Sequence, residues 1–184
     1  MKRPSRKIPT PKYLANVALH YLGRYAASES SLRRVLTNRM RRVAMENDAF
    51  AADHDLQAQL RFAIETIIET HKRTGALNDA NFAETKVSSL RRQGRSRHVI
   101  KQKLAIKGIS AKLVDAALEQ NADGEDPQEV ELKAARALAR KRRLGPFRDK
   151  PADEERKRKD FAVLARAGFS ASIVREALST PNDA

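Results

Sequence analysis

The residues with the types for acid–base or metal chemistry are four histidines and a scatter of carboxylates. Asp53-His54-Asp55 sets two carboxylates around an imidazole. Such a trio could hold a cation or relay a proton. Adjacent residues on a helix point in different directions, however, and this trio lies in a polar, loop-like stretch. His20, His71 and His98 are isolated in sequence and read as surface or packing residues. Ser30 and Ser31 have no evident base partner. No HExxH, GxGxxG or Walker A pattern occurs. With no cysteine in the chain, disulfides and thiolate metal sites are excluded. No enzymatic activity and no cofactor is expected.

The other chemistry on offer is charge. The 184 residues carry a formal net charge of +14. That balance favours polyanionic partners or acidic protein surfaces. The charge comes in blocks. Met1–Val43 has eleven basic residues against one acidic, Asn81–Leu118 nine against two, and Arg136–Lys159 eleven against four. The intervening Ala44–Ala80 and Glu119–Ala135 are net acidic, three against seven and one against six. A single Lys or Arg reads as a solvated helix face. Three separate blocks read as a contact surface. Its centre is Arg91, Arg92, Arg95, Arg97 and Lys101, flanked by Arg33 and Arg34 and by Arg140, Lys141, Arg142 and Arg143. Aromatic residues are sparse (5%) and fall at core spacing, so base-stacking platforms are not expected.

These cations must be carried by helices. Glycine and proline are few, which favours helices over a turn-rich β architecture. From Pro11, Tyr13, Leu14, Val17, Ala18, Tyr21, Leu22 and Tyr25 trace an apolar face. Ser28 caps a helix bearing Leu32, Leu36, Met40 and Val43. The pattern breaks and turns acidic from Asn47 to Asp55, then a long helix closes near Gly75. Asp79 is an expected N-cap for a helix with Phe82, Ala83, Val87 and Leu90, ended by Gly94. Ser96 caps the next, with Ile100 and Leu104, ended by Gly108. Ser110 caps a third, with Leu113, Val114, Ala117 and Leu118. An acidic Gly/Pro linker follows, then a helix from about Glu129 to Arg143 and a loop over Leu144–Asp153. Another helix runs to Gly168, and a last one, capped by Ser170, carries Ile173, Val174, Ala177 and Leu178. No apolar run of about 18 residues exists, so no membrane span is expected. The basic start lacks the apolar core of a signal peptide. The lack of cysteine fits a reducing cytosol, and a cytoplasmic location is expected.

The pattern repeats. The eleven residues from Gly108 to Leu118 recur from Gly168 to Leu178, a constant offset of 60 residues with six identities. Ser28, Leu32, Arg33 and Leu36 align with Ser96, Ile100, Lys101 and Leu104 at an offset of 68. The shared Gly-apolar-Ser start and Ala-Leu end predict an all-α chain of three tandem three-helix repeats. The expected division is a disordered basic tail (1–10), repeats over 11–77, 78–121 and 129–179, an acidic linker (122–128) and a tail (180–184). The Lys107-Gly108-Ile109-Ser110 corner has the look of a helix-turn-helix. Its second helix would offer Ala111, Lys112, Asp115, Ala116 and Glu119, and its copy Ala171, Ser172, Arg175 and Glu176. Neither face is rich in base-reading groups, so the corner reads as a packing device.

The order Gly75-Ala76-Leu77-Asn78-Asp79-Ala80-Asn81-Phe82-Ala83, Val87, Arg91-Arg92-Gln93-Gly94, Ile100, Leu104 and Lys107-Gly108-Ile109 resembles the RecX family of regulators of the RecA recombinase. The resemblance spans about Tyr13 to Leu178. Two departures stand out. The first repeat has Arg39-Met40 where Lys107-Gly108 aligns, followed by an acidic insertion. The third has a Pro/Gly loop between its first two helices. The resemblance implies an elongated, curved, monomeric body that binds the groove of the RecA–DNA filament. It implies inhibition of filament growth, ATP hydrolysis, strand exchange and coprotease activity, in recombination, repair and the SOS response. Direct contact with single- or double-stranded DNA is an open alternative at this point. So are a helix-turn-helix-like DNA-binding protein independent of RecA, and an enzyme around His54.

Overall fold

The computed structural model describes residues 7–149 and 153–179. The expected tails therefore lie partly (1–10) or wholly (180–184) outside the described residues. Ten α-helices and no strand are found among the described residues, so the all-α reading stands. None of these helices is long and apolar enough to cross a membrane. The chain divides into two compact units, Met1–Phe82 and Ala83–Ala184.

The first unit contains α1 (Pro11–Leu22), α2 (Glu29–Ala44), α3 (Asp48–Ala52) and α4 (His54–Arg73), with the first turn of α5 (Asp79–Arg92). Its core is built on Leu14, Leu32, Leu36, Phe50, Leu60, Ile64 and Ile68, each at most 1% exposed. Helix α3 occupies the stretch where the sequence pattern breaks. Five residues cannot hold a helix by propensity, because nucleation costs more than one turn returns. Tertiary anchors hold it instead. The Phe50 ring enters the core, a burial that contributes about 2–3 kcal/mol. Asn47 accepts from the Phe50 amide at 3.0 Å. The Gln57 amide group donates to the Phe50 and Ala51 carbonyls. Helix α2 has no glycine at the aligned position and runs on to 16 residues, whereas its counterpart α6 (Arg97–Ile106) has 10.

The second unit contains the remainder of α5, then α6, α7 (Ala111–Ala122), α8 (Pro127–Arg142), α9 (Glu154–Arg166) and α10 (Ala171–Ser179), with a 3-10 turn at Gly145–Phe147. The repeated Gly-apolar-Ser corner has three local jobs. Gly108 takes φ +77°, the left-handed geometry that closes α6. The next amide, from Ile109, reaches back to the Leu104 carbonyl at 3.1 Å. Ile109 is buried, and Ser110 accepts from the Leu113 amide to start α7. Gly168, Phe169 and Ser170 repeat each step between α9 and α10. The corner is thus a packing device in both copies. Against α10, helix α8 offers Ala134, Ala135, Leu138 and Ala139, all buried. Small side chains there let the two axes approach closely.

One expected cap is corrected. Asn78, not Asp79, caps α5, accepting from the Asn81 amide at 3.0 Å. Asp79 instead accepts from the Glu29 amide at 2.9 Å, at the start of α2. Local spacing identifies a short polar residue before a helix but cannot say that a distant helix start will claim its carboxylate.

Candidate functional site

The cations singled out in the sequence sort into two groups once their partners are seen. Arg91, in the last turn of α5, is tied down. Its Nη1 lies 2.5 Å from Glu131 Oε1 of α8, and the side chains are only 11% and 18% exposed. The same Glu131 oxygen accepts from the Arg97 amide at the start of α6, at 2.7 Å. Arg91 also donates to the Arg95 carbonyl. The Nε atoms of Arg91 and Arg95 are both buried. Arg97 and Lys101 converge on Asp115 of α7, at 2.8 and 2.7 Å. These two cations hold the Asp115 carboxyl below its usual range, Lys101 most strongly. In the first unit Arg33 forms a two-point bridge to Glu65, both contacts at 2.8 Å. Glu65 in turn raises the guanidinium pKa of Arg33, chiefly through that hydrogen bonding.

The second group faces solvent. Arg34, Arg92, Lys141 and Arg142 are exposed and form no ion pair among the described residues. Arg140 stacks over the Phe147 ring, 5.2 Å from its centroid. Arg143 takes the left-handed conformation that ends α8 and reaches Asp149 at 3.4 Å, with both side chains largely solvated. The structure therefore brings Arg91, Arg95, Arg97 and Lys101 together around the α5–α6 corner, held by Glu131 and Asp115. Arg92 of that set points to solvent.

Other singled-out groups have structural jobs. Asp53 caps α4, accepting from the Leu56 amide at 2.9 Å. Asp115, considered as a residue of a reading helix, is occupied by Arg97 and Lys101. Two tyrosines differ from expectation. Tyr13 and Tyr25, placed on the apolar face of the first helix, are 45% and 57% exposed. Only one side of α1 meets the unit's core, and Leu14 and Ala18 fill it. The residues missed by sequence reasoning are Glu65, Glu131 and Asp115 as internal counter-charges. Asp115 could have been suggested by its isolation within a basic block. Glu131 gave no signal, being 40 residues from Arg91.

A regulatory protein RecX from Myxococcus xanthus is 43% identical over 181 residues, covering 97% of this chain and 90% of the relative. The chain belongs to the RecX family. A further relative named regulatory protein RecX, from Agrobacterium fabrum, is 36% identical over 142 residues, covering 77% of this chain and 73% of its own. A family model described as the RecX second three-helix domain matches residues 78–118. That match contains Arg91 to Lys101 and Asp115, whereas Glu131, the partner of Arg91, lies beyond it. A crystal structure of regulatory protein RecX superposes with TM-score 0.62 at 23% identity, covering 91% of this chain and 70% of that one. RecX from Lactobacillus salivarius gives 0.61 at 21%, covering 91% and 93%. Both share the RecX fold with this chain.

Proposed function

We propose that this protein binds the RecA–DNA filament and modulates it, mostly by inhibiting growth, ATP hydrolysis, strand exchange and coprotease activity. The observation that carries this reading is similarity to regulatory protein RecX along nearly the whole chain, at 43% identity. The protein acts as a monomer in the cytoplasm and performs no chemistry of its own. Binding alone suffices, provided it is tighter to an arrested or disassembling filament than to a growing one. Exposed cations supply the attraction. Arg34, Arg92, Lys141 and Arg142 act directly on acidic protein surface or DNA phosphate. Arg91, only 11% exposed, braces those faces from within, and Arg33, Arg95, Arg97, Lys101, Arg140 and Arg143 support them while keeping part of their own charge outward. The helix-turn-helix alternative gains nothing from α7, where Asp115 is committed to Arg97 and Lys101.

The test is a titration of purified protein into RecA filaments on single-stranded DNA, reading binding and ATPase together. The wild-type chain inhibits. Arg92→Glu combined with Lys141→Glu and Arg142→Glu weakens inhibition while helicity persists. Undiminished inhibition by that variant removes this face from the proposal, and absence of inhibition by the wild type removes the proposal itself.

A further inference from the structure

The first unit holds a second surface that the RecA reading does not use. All three tyrosines of the protein lie at positions 13, 21 and 25, and there is no tryptophan. Tyr25 follows α1, with its amide bonded to the Tyr21 carbonyl at 3.0 Å. Its ring leans on the Tyr21 ring, with centroids 5.3 Å apart and planes tilted by 44°. More than half of Tyr25 is nonetheless open to solvent, at 57%. The pair lies in a groove of about 340 Å³ between α1 and α2, where Val17, His20, Arg24 and Arg39 also line the walls. Arg39 borders a second groove of about 440 Å³ as well, with Tyr13 and Lys7. Among the described residues, no carboxylate lines either groove. Arg24 and Arg39 are exposed and form no ion pair among the described residues. In this they differ from Arg33, Arg91, Arg97 and Lys101, each of which faces a carboxylate.

We propose that this α1–α2 face binds single-stranded nucleic acid, with Tyr25 and Tyr13 stacking on bases while Arg24 and Arg39 hold the backbone phosphates. Unpaired bases need what the face offers. A flat, exposed ring braced from one side gives a stacking surface for any base, and unpaired guanidiniums beside it neutralise phosphate. A duplex keeps its bases stacked on one another and could use only the cations. An acidic protein would likewise use the cations and gain little from open rings.

The experiment uses the full chain and an oligothymidylate of about 12 nucleotides, within the site sizes of small single-strand-binding folds. Anisotropy of a labelled strand reads binding. Intrinsic emission, which here comes only from Tyr13, Tyr21 and Tyr25, reads stacking. The expected result is tyrosine quenching that tracks the anisotropy. Tyr25→Ala weakens affinity about tenfold, while Tyr25→Phe stays within about twofold because the ring is kept. Arg39→Ala lowers the log–log salt slope by about one. Saturating anisotropy without quenching overturns the proposal, as does an unchanged affinity for Tyr25→Ala, equal competition by a duplex of the same length, or no binding at all. Inhibition of RecA ATPase is measured on the same preparations. If it persists without oligonucleotide binding, this inference falls alone and the RecA reading is untouched.

Discussion

Glu131 joins three helices with one oxygen, accepting from the Arg91 guanidinium and from the Arg97 amide. Placing a carboxylate at the start of α6 also suits the partial positive charge there. Replacing Arg91 with Glu would set two carboxylates against each other where only 11% of the side chain is exposed. Arg91→Glu is expected to lower stability by about 3–5 kcal/mol, read as a drop in urea midpoint. Arg92→Glu, at an exposed site of the same turn, should change it by about 0.5 kcal/mol or less. Neighbouring arginines thus separate by mechanism. A second carboxylate, Asp160 of α9, is 2% exposed and accepts from the Gly145 amide and from Arg148. Burial pushes its carboxyl up, but Arg148 and the Gly145 amide outweigh that and hold it below the usual range. A folded-state pKa below the unfolded one means a stabilisation that is full above the ordinary carboxylate range. It is lost as pH falls through the lowered value. Asp160→Asn should therefore cost about 2 kcal/mol at neutral pH. It should also flatten the acid side of the stability–pH curve, checked by urea unfolding across that range. Asp79 has the opposite sign. Burial raises its carboxyl, only partly offset by the Glu29 amide, so its contribution is present at low pH and lost as pH rises through the raised value.

At the scale of elements, the corners between helices decide how the second unit closes. Gly94 sits at φ +71° after α5, directly against α8. A Cβ there would fall 2.8 Å from the Leu138 nitrogen and 2.9 Å from the Ala134 oxygen, both backbone atoms that cannot swing away. Gly94→Ala is expected to cost about 3 kcal/mol, from left-handed strain and overpacking together, and thermal unfolding measures it. Ser96, two residues on, is fully buried and ties the same corner to α9–α10. Its hydroxyl donates to the Ala167 carbonyl at 2.7 Å and accepts from the Val99 amide. What was legible in the sequence at this scale was whatever a short window determines. Ser28, Ser96, Ser110 and Ser170 cap helices as their spacing implies. Gly108 and Gly168 end helices because the chemistry of a helix end is local. Illegible features depended on distant partners. Phe50 alone could not signal α3, since its burial is supplied by other helices of its unit. The apolar face read for the first helix could not show that Tyr13 and Tyr25 would be left uncovered. Asp79 offered a carboxylate that Glu29, fifty residues earlier, takes up.

For the whole molecule, the net charge of +14 overstates the charge available to a partner. Arg33, Arg91, Arg97 and Lys101 each face a carboxylate, so part of their field is already compensated. The candidate basic sites were legible as clusters, because clustering is a property of sequence. Their division into paired and solvent-facing cations was not, because Glu65, Glu131 and Asp115 approach through the fold. Solvent-facing cations act over about one Debye length, about 10 Å at 0.1 M salt and shorter above it. They should therefore set how fast the protein docks on a negatively charged filament more than how long it stays. Raising salt from about 50 to 200 mM should slow association steeply and change dissociation less. The Arg92, Lys141 and Arg142 to Glu variant should show a slower association at low salt and a flatter salt response. Arg33→Gln should move both less, because Glu65 already screens that charge. Association and dissociation rates on immobilised RecA–DNA filaments, taken across that salt series, check the ordering. A variant that loses binding wholly through faster dissociation, with its salt response unchanged, would show that these cations make short-range contacts instead of steering the approach.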